Sequence, residues 1–247
     1  MKFWLCLIIA IVFVLILIKR AGILAFFATV KFTKGETAEA IRLFEKAAKI
    51  GKLPAGSKMT YGYILLREGE TEKARAVLKE ASMEAQKPDL KRQIKSIFAL
   101  SVWKDGDLDS AIEMMEEVIG EFKISTVYQN LGLMYIVKGD KEKALKFNLE
   151  AYDYNPDDLV IADNLAESYA LCGDEEKAKE LYEAILEENP GFPEPYYNYG
   201  QLLAKEGDKE RGVELIQKAL EKRFSFLSVK TKEDVEKLLE QIKNDLL

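Results

Sequence analysis

A glycine followed by an acidic residue recurs along most of the chain at a nearly constant interval. The glycines are Gly35, Gly69, Gly106, Gly139, Gly173 and Gly207, so the intervals are 34, 37, 33, 34 and 34 residues. Five residues after each glycine, and seven residues before it, stands an alanine or another glycine. This regularity indicates an array of repeats that pack on one another, which constrains the fold more than any bulk property does.

Each period has the features of two antiparallel helices joined by a tight turn. Glycine ends a helix readily because it tolerates a left-handed backbone. The acidic residue that follows suits the start of the next helix, where the dipole favours negative charge. The small residues allow the two helices to cross closely. The pattern therefore predicts one helix–turn–helix unit in each period.

The apolar residues between these markers carry a family resemblance. The unit 125–158 supplies Tyr128, Leu131, Gly132, Tyr135, Ala144, Ala151 and Pro156. These positions resemble the tetratricopeptide repeat (TPR), a 34-residue helix–turn–helix unit. The array departs from the family pattern at Asn148, Ile185 and Gly212, among other positions.

The resemblance implies an all-α fold, a right-handed superhelical solenoid of about six repeats over residues 21–226. The predicted units are 21–54, 55–88, 92–124, 125–158, 159–192 and 193–226, with a small insertion at 89–91. Residues 227–247 are predicted to form a capping helix, because Thr231 and Asp234 resemble a capping box and apolar residues follow at helical spacing.

An apolar run without charge or proline precedes the repeats, at residues 3–18. As a helix it would be about 24 Å long, and Lys19 and Arg20 could snorkel to extend it towards the roughly 30 Å hydrocarbon core. A longer span would place both cations near mid-membrane, at about 2.5–3.5 kcal/mol each. We therefore predict a single-pass transmembrane anchor at 1–20. A cleavable signal peptide and a buried helix remain the alternatives.

The charge distribution bears on partners and orientation. Residues 1–54 have a net charge of +6 and residues 55–247 a net charge of −12. An acidic array without a basic stripe predicts no nucleic-acid partner. The positive-inside rule favours repeats in the cytoplasm, with export as the alternative. Because no proline falls between Phe3 and Lys34, we expect the anchor and the first repeat helix to be one rod.

Catalysis is not predicted. The chain has no histidine, which excludes Ser-His or Cys-His nucleophiles and histidine metal ligands. It also shows no glycine-rich phosphate loop and no metal-ligand motif, so neither an enzyme nor a cofactor is predicted. Its two cysteines, Cys6 and Cys172, are too far apart in sequence to indicate a disulfide framework.

In the family that this chain resembles, a concave groove lined by the first helix of each unit binds protein segments. The resemblance places the following residues in that groove: Met59, Tyr63, Leu66, Arg67, Leu100, Trp103, Lys104, Gln129, Leu133, Ile136, Asp163, Glu167, Tyr197 and Gln201. Aromatic groups and an acidic patch, Asp163 with Glu167, predict an extended or helical ligand with apolar anchors and a basic end. The cation–asparagine pair of the carboxylate-clamping subgroup is missing.

These observations predict a membrane-anchored scaffold that binds a protein or peptide partner of unknown identity. Two alternatives stay open. The chain could be a structural homo-oligomer that assembles through its groove or its terminal helix. It could also be an exported assembly factor or envelope chaperone.

Overall fold

The fold is all-α over the part of the chain that can be described. A computed structural model describes residues 2–244, and within the first helix it describes only the side chains of Trp4 and of residues from Lys19 onward. The helices are α1 Lys2–Thr33, α2 Thr37–Ile50, α3 Ala55–Arg67, α4 Thr71–Glu84, α5 Pro88–Lys104, α6 Leu108–Glu121, α7 Ser125–Lys138, α8 Lys141–Tyr154, α9 Leu159–Cys172, α10 Glu175–Glu187, α11 Glu194–Glu206, α12 Lys209–Leu220 and α13 Lys232–Asn244.

The helices form two compact units, of which the first ends at Ser101 and the second begins at Val102, within α5. In the first unit α1 packs on α2 and α3 on α4. In the second unit α8, α10 and α12 pack on α7, α9 and α11, and α9 contacts both α7 and α11. We call α7, α9 and α11 the inner row. The predicted insertion at 89–91 lies in the first turns of α5 rather than in a loop.

The predicted glycine turns are confirmed. All six glycines have a positive φ, between 80° and 104°, which a residue with a Cβ adopts only under strain. The aspartates that follow four of them cap the next helix, as when Asp107 accepts a hydrogen bond from the Ser110 backbone N–H at 3.0 Å. The glutamates Glu36 and Glu70 make no side-chain cap. The acidic residue therefore acts as a cap where it is aspartate.

The small residues lie where two helices approach closely. A Cβ built on Gly62 would lie 2.6 Å from Leu78 Cγ, on the partner helix α4. Ala99, Ala144, Ala166 and Ala178 are all fully buried. The pattern of small residues therefore fixes how each helix pair packs, as the sequence predicts.

The first helix is continuous from Lys2 to Thr33, in agreement with the predicted rod. Ala21, Ala25 and Ala28 are buried along its length, on the side that packs on α2. In the part of the chain that the structure describes, no helix is both long enough and apolar enough to cross a bilayer. The predicted anchor at 3–18 lies outside the residues whose side chains the structure describes, with the exception of Trp4.

The terminal helix α13 packs on α12 through Val235, Leu239 and Ile242, which are buried in a cluster with residues of α12. Its predicted capping box is confirmed. The Asp234 backbone N–H donates to Thr231 Oγ1 at 3.1 Å, and the Thr231 backbone N–H donates to Asp234 Oδ2 at 2.9 Å. The box starts α13 directly after the irregular segment that leaves α12.

Candidate protein-binding face

In the first unit the predicted groove residues fall into an aromatic group and a buried group. The Tyr63 ring meets the Phe32 ring edge-on at 6.3 Å, and the Arg67 guanidinium lies 5.9 Å from both ring centroids. Met59 is half-buried against the cluster around Leu78, and Leu66 and Leu100 are buried. The two leucines therefore contribute to packing in this conformation and present no free surface.

In the second unit Gln129, one of the polar groove residues, already has a partner within the chain. The Gln129 side-chain amide donates to both carboxylate oxygens of Asp158, at 2.8 and 2.7 Å. Asp158 in turn caps α9 by accepting from the Val160 and Ile161 backbone N–H groups. Ile136 is buried, Leu133 is half-buried and Gln201 is exposed. The Gln129 side chain therefore links two repeats by hydrogen bonds, and its amide N–H groups are already occupied.

The predicted acidic patch exists, but most of it is buried. Asp163 is 3% exposed, and its Oδ1 has no hydrogen-bond partner among the described atoms. The Asn198 amide donates to Glu167 Oε2 at 3.3 Å. Burial raises the pKa of the Asp163 carboxyl well above its usual value, and the neighbouring charges of Glu167 and Glu194 raise it further.

The patch is covered by the chain itself. Residues 221–231, here called the α12–α13 segment, are irregular and return from α12 towards the inner row. The Lys230 ammonium lies 4.5 Å from the centroid of the Tyr197 ring. The positive charge of Lys230 partly offsets the rise in the pKa values of Asp163 and Glu167.

The same segment also reaches the end of α5. Lys104 Nζ donates to the Ser228 carbonyl oxygen at 3.2 Å, and it lies 5.1 Å from the Phe226 ring and 4.8 Å from the Trp103 ring. Burial between these groups lowers the pKa of the Lys104 ammonium. The structure thus brings together four predicted groove residues, Trp103, Lys104, Asp163 and Tyr197, around one stretch of the chain's own backbone.

Sequence reasoning missed the residues that cover this face, namely Phe226, Ser228 and Lys230. A signal was present: residues 224–230, FSFLSVK, combine four apolar side chains with a lysine at the end of the last repeat and just beyond it. Among the described residues, no group of three or more His, Cys, Asp or Glu side chains is arranged to hold a metal ion.

Comparison with known proteins identifies the repeats. One family model described as tetratricopeptide repeat matches residues 31–94 and 172–226, and a second matches residues 125–158. Together they cover more than half of the 247 residues. No curated protein matches the chain in sequence.

Solved structures share the fold at low sequence identity. A tetratricopeptide repeat protein from Parabacteroides merdae has a TM-score of 0.70 at 17% identity, over 92% of this chain and 85% of that one. A thermophilic TPR protein from Thermus thermophilus has a TM-score of 0.62 at 19% identity, over 77% and 99%. A chain of the APC/C hetero-tetramer Cut9–Hcn1 has a TM-score of 0.64 at 16% identity, over 78% and 37%. The protein described here belongs to the tetratricopeptide repeat family.

Proposed function

We propose that the protein is a membrane-attached, non-catalytic scaffold that binds a segment of a protein partner on the inner row of its second unit. The observation that carries this proposal is the α12–α13 segment. Lys104 binds a main-chain carbonyl of that segment, and the Lys230 ammonium of the segment lies on the Tyr197 ring. A face that holds irregular backbone in this way has the groups required to bind another chain's segment.

The family supports a protein partner. Cut9–Hcn1, whose fold is similar, is itself a hetero-tetramer. The repeats of this chain are proposed to occupy residues 21–226, between the anchor at 1–20 and a C-terminal region whose helix, α13, is Lys232–Asn244 rather than the whole of 227–247. They would serve as a preformed surface. Binding to such a surface needs little ordering of the scaffold, which reduces the entropic cost of association.

Photo-crosslinking in cells tests the protein-binding role. A photoreactive amino acid at Trp103 is expected to yield an adduct with a partner protein, because this side chain borders the face. The same amino acid at Lys146, an exposed position on α8, is the matched control and is expected to give no such adduct. Adducts from position 103 that contain only lipid would contradict the scaffold.

Membrane attachment is the second part of the proposal. On the continuous helix α1, the Phe26 and Phe27 side chains are 64% and 54% exposed, two turns beyond Lys19 and Arg20. A cleft of about 600 Å³ beside these rings is lined by Lys19 and Lys52 among others. Exposed aromatic rings next to cations suit the interface between lipid tails and anionic headgroups, and so support an anchor at residues 3–18.

Vesicle flotation tests the anchor. The full chain is expected to float with uncharged phosphatidylcholine vesicles in 1 M NaCl, since burial of apolar side chains is not screened by salt whereas headgroup attraction is. A variant lacking residues 2–18 is expected to stay at the bottom of the gradient. Failure of the full chain to float would contradict attachment through this run. Reporter fusions at the C-terminus would test the cytoplasmic orientation that the positive-inside rule favours.

A further inference from the structure

The α12–α13 segment has the composition that the sequence predicts for a ligand of this face. Its Phe226 ring lies against Lys104, and its Lys230 lies on the Tyr197 ring beside Asp163 and Glu167. Phe226 thus contacts the end of the face formed by Trp103 and Lys104. Lys230, four positions later, contacts the end formed by Asp163 and Glu167. The chain itself supplies apolar anchors followed by a basic end.

The segment is only partly bound to this face. The side chains of Phe226 and Val229 are 42% and 44% exposed. Several of its hydrogen bonds are internal, as where the Ser228 backbone N–H donates to the Ser225 carbonyl at 3.0 Å and closes a turn. A segment with exposed apolar side chains and an internally closed turn can leave the face without losing all of its own hydrogen bonds.

Space also remains beside the segment. A cleft of about 210 Å³ borders Lys230 and is lined by Glu167, Gln201 and Lys205 among others. Its volume is enough for one more large side chain. The face therefore offers a position that Phe226 and Lys230 leave unfilled, next to a buried carboxyl group.

We propose that the α12–α13 segment is a built-in occupant of a peptide site, and that the partner it excludes is a protein segment with an aromatic residue followed four residues later by a lysine or arginine. This inference rests on the proposed scaffold function and names the chemistry of its partner. The aromatic ring takes the place of Phe226 on Lys104, and the cation takes the place of Lys230 on Tyr197 beside the buried acids.

Tethering sets the strength of this competition. A segment joined directly to α12 has an effective concentration on the order of millimolar at its own site. An external peptide with the same sequence must compete against that concentration, so its apparent affinity for the intact chain is reduced. Weakening the contacts of the internal segment removes the competitor while the face stays intact.

Peptide titration against the full-length chain in detergent micelles tests the proposal. The probe is a labelled synthetic peptide with the sequence of residues 222–232. The variant Phe226→Ala/Lys230→Ala is expected to bind it about tenfold or more tightly than the unchanged chain, because the tethered competitor is weakened. Val229→Ala, at a similarly exposed position of the segment, is the matched control and is expected to bind like the unchanged chain. We call Phe226→Ala/Lys230→Ala the release variant. A probe with alanine at the positions of Phe226 and Lys230 is expected not to bind it.

The outcomes separate this inference from the scaffold itself. Equal affinity of the probe for the unchanged chain and the release variant, with circular dichroism showing both folded, would overturn the built-in occupant. So would a release variant that forms a dimer which the probe dissociates, because the occupant would then be a second copy. Crosslinking at Trp103 can still capture a partner in either case, and so leaves the scaffold standing. A probe that binds as expected while crosslinking finds no partner would overturn the scaffold, and with it the excluded partner, but not the occupation of the face by the α12–α13 segment.

Discussion

Gly212→Ala is expected to reduce the free energy of unfolding of the C-terminal repeats by about 2 kcal/mol. A Cβ at this position would lie 2.6 Å from the Gly200 carbonyl oxygen, and one at Gly200 would lie 2.8 Å from the Gly212 carbonyl oxygen. Both obstacles are backbone atoms, so α11 and α12 would have to move apart. Overpacking of this kind costs about 1–3 kcal/mol or more, and alanine's better helix propensity returns at most about 1 kcal/mol.

Urea denaturation of the full chain in micelles, followed by circular dichroism, measures this effect as a lower midpoint. Gly120→Ala is the matched control, because Gly120 also lies in a helix but no atom falls within 4 Å of the Cβ position. This control is expected to be neutral or stabilising by up to about 1 kcal/mol. An unchanged midpoint for Gly212→Ala would show that the two helices are not held at this separation in solution.

Gly212 also illustrates what the sequence could predict. The family pattern has alanine at this position, and the spacing alone identifies a small residue at a helix crossing. It does not reveal that the facing residue, Gly200, is a glycine in backbone contact. Turns and crossings recur because they depend on local geometry, so the helix–turn–helix units were predictable. The distance between two particular helices depends on both partners at once and was not.

Asn148 makes the same point for the core. It occupies a position where the family pattern has an aromatic residue, and the sequence shows it only as a departure. In the structure Asn148 is fully buried, and its amide donates to Ser168 Oγ at 2.9 Å. Ser168 in turn donates to the Asn164 carbonyl oxygen at 2.7 Å. A hydrogen-bonded chain thus replaces an aromatic ring, which single-position patterns cannot predict.

The candidate face was predictable in its residue types and not in its accessibility. The repeat register placed Trp103, Asp163, Glu167 and Tyr197 together on first helices, and in the second unit they do lie around one segment. Whether such residues are free depends on what the remaining chain does. The return of the α12–α13 segment is a tertiary contact between Lys104 and Ser228, which are 124 residues apart. The composition of residues 224–230 indicates a segment that can pack on the repeats, but no local signal specifies this contact.

Asp163→Asn is expected to stabilise the protein at pH 8, by roughly 1–3 kcal/mol. Asp163 is buried, and its Oδ1 has no hydrogen-bond partner among the described atoms. Glu167 and Glu194 face it with negative charge and Lys230 faces it with positive charge. Burying an ionisable group that is not well paired costs free energy, and a neutral amide of the same shape removes the part of that cost which comes from ionisation.

The pH dependence follows from the direction of the shift. The unfolded aspartate has a pKa of about 3.9, and burial raises the pKa in the folded protein. Above pH 4 the unfolded chain therefore releases a proton that the folded chain retains. The contribution of Asp163 to stability falls as pH rises from about 4 towards the folded pKa. The advantage of Asp163→Asn should accordingly be small near pH 4 and should increase towards pH 8.

Urea midpoints at pH 5 and pH 8 measure this difference, with Asp157→Asn, at an exposed position just before α9, as the matched control. The control is expected to show no growing advantage. A variant less stable than the unchanged chain at both pH values would mean that the carboxylate makes favourable hydrogen bonds that an amide cannot replace.

The gain in stability should come with a loss of binding at the face. Because the charge of Lys230 opposes the raised pKa values of Asp163 and Glu167, a cation on the face favours their ionised forms. Removing the Asp163 carboxyl group removes part of that attraction, so Lys230→Met should cost less in the Asp163→Asn background than in the unchanged chain. A double-mutant cycle at pH 8 measures the difference as a coupling free energy. Strong coupling would identify Asp163 as an acid retained at a cost in stability because it binds a cation on this face.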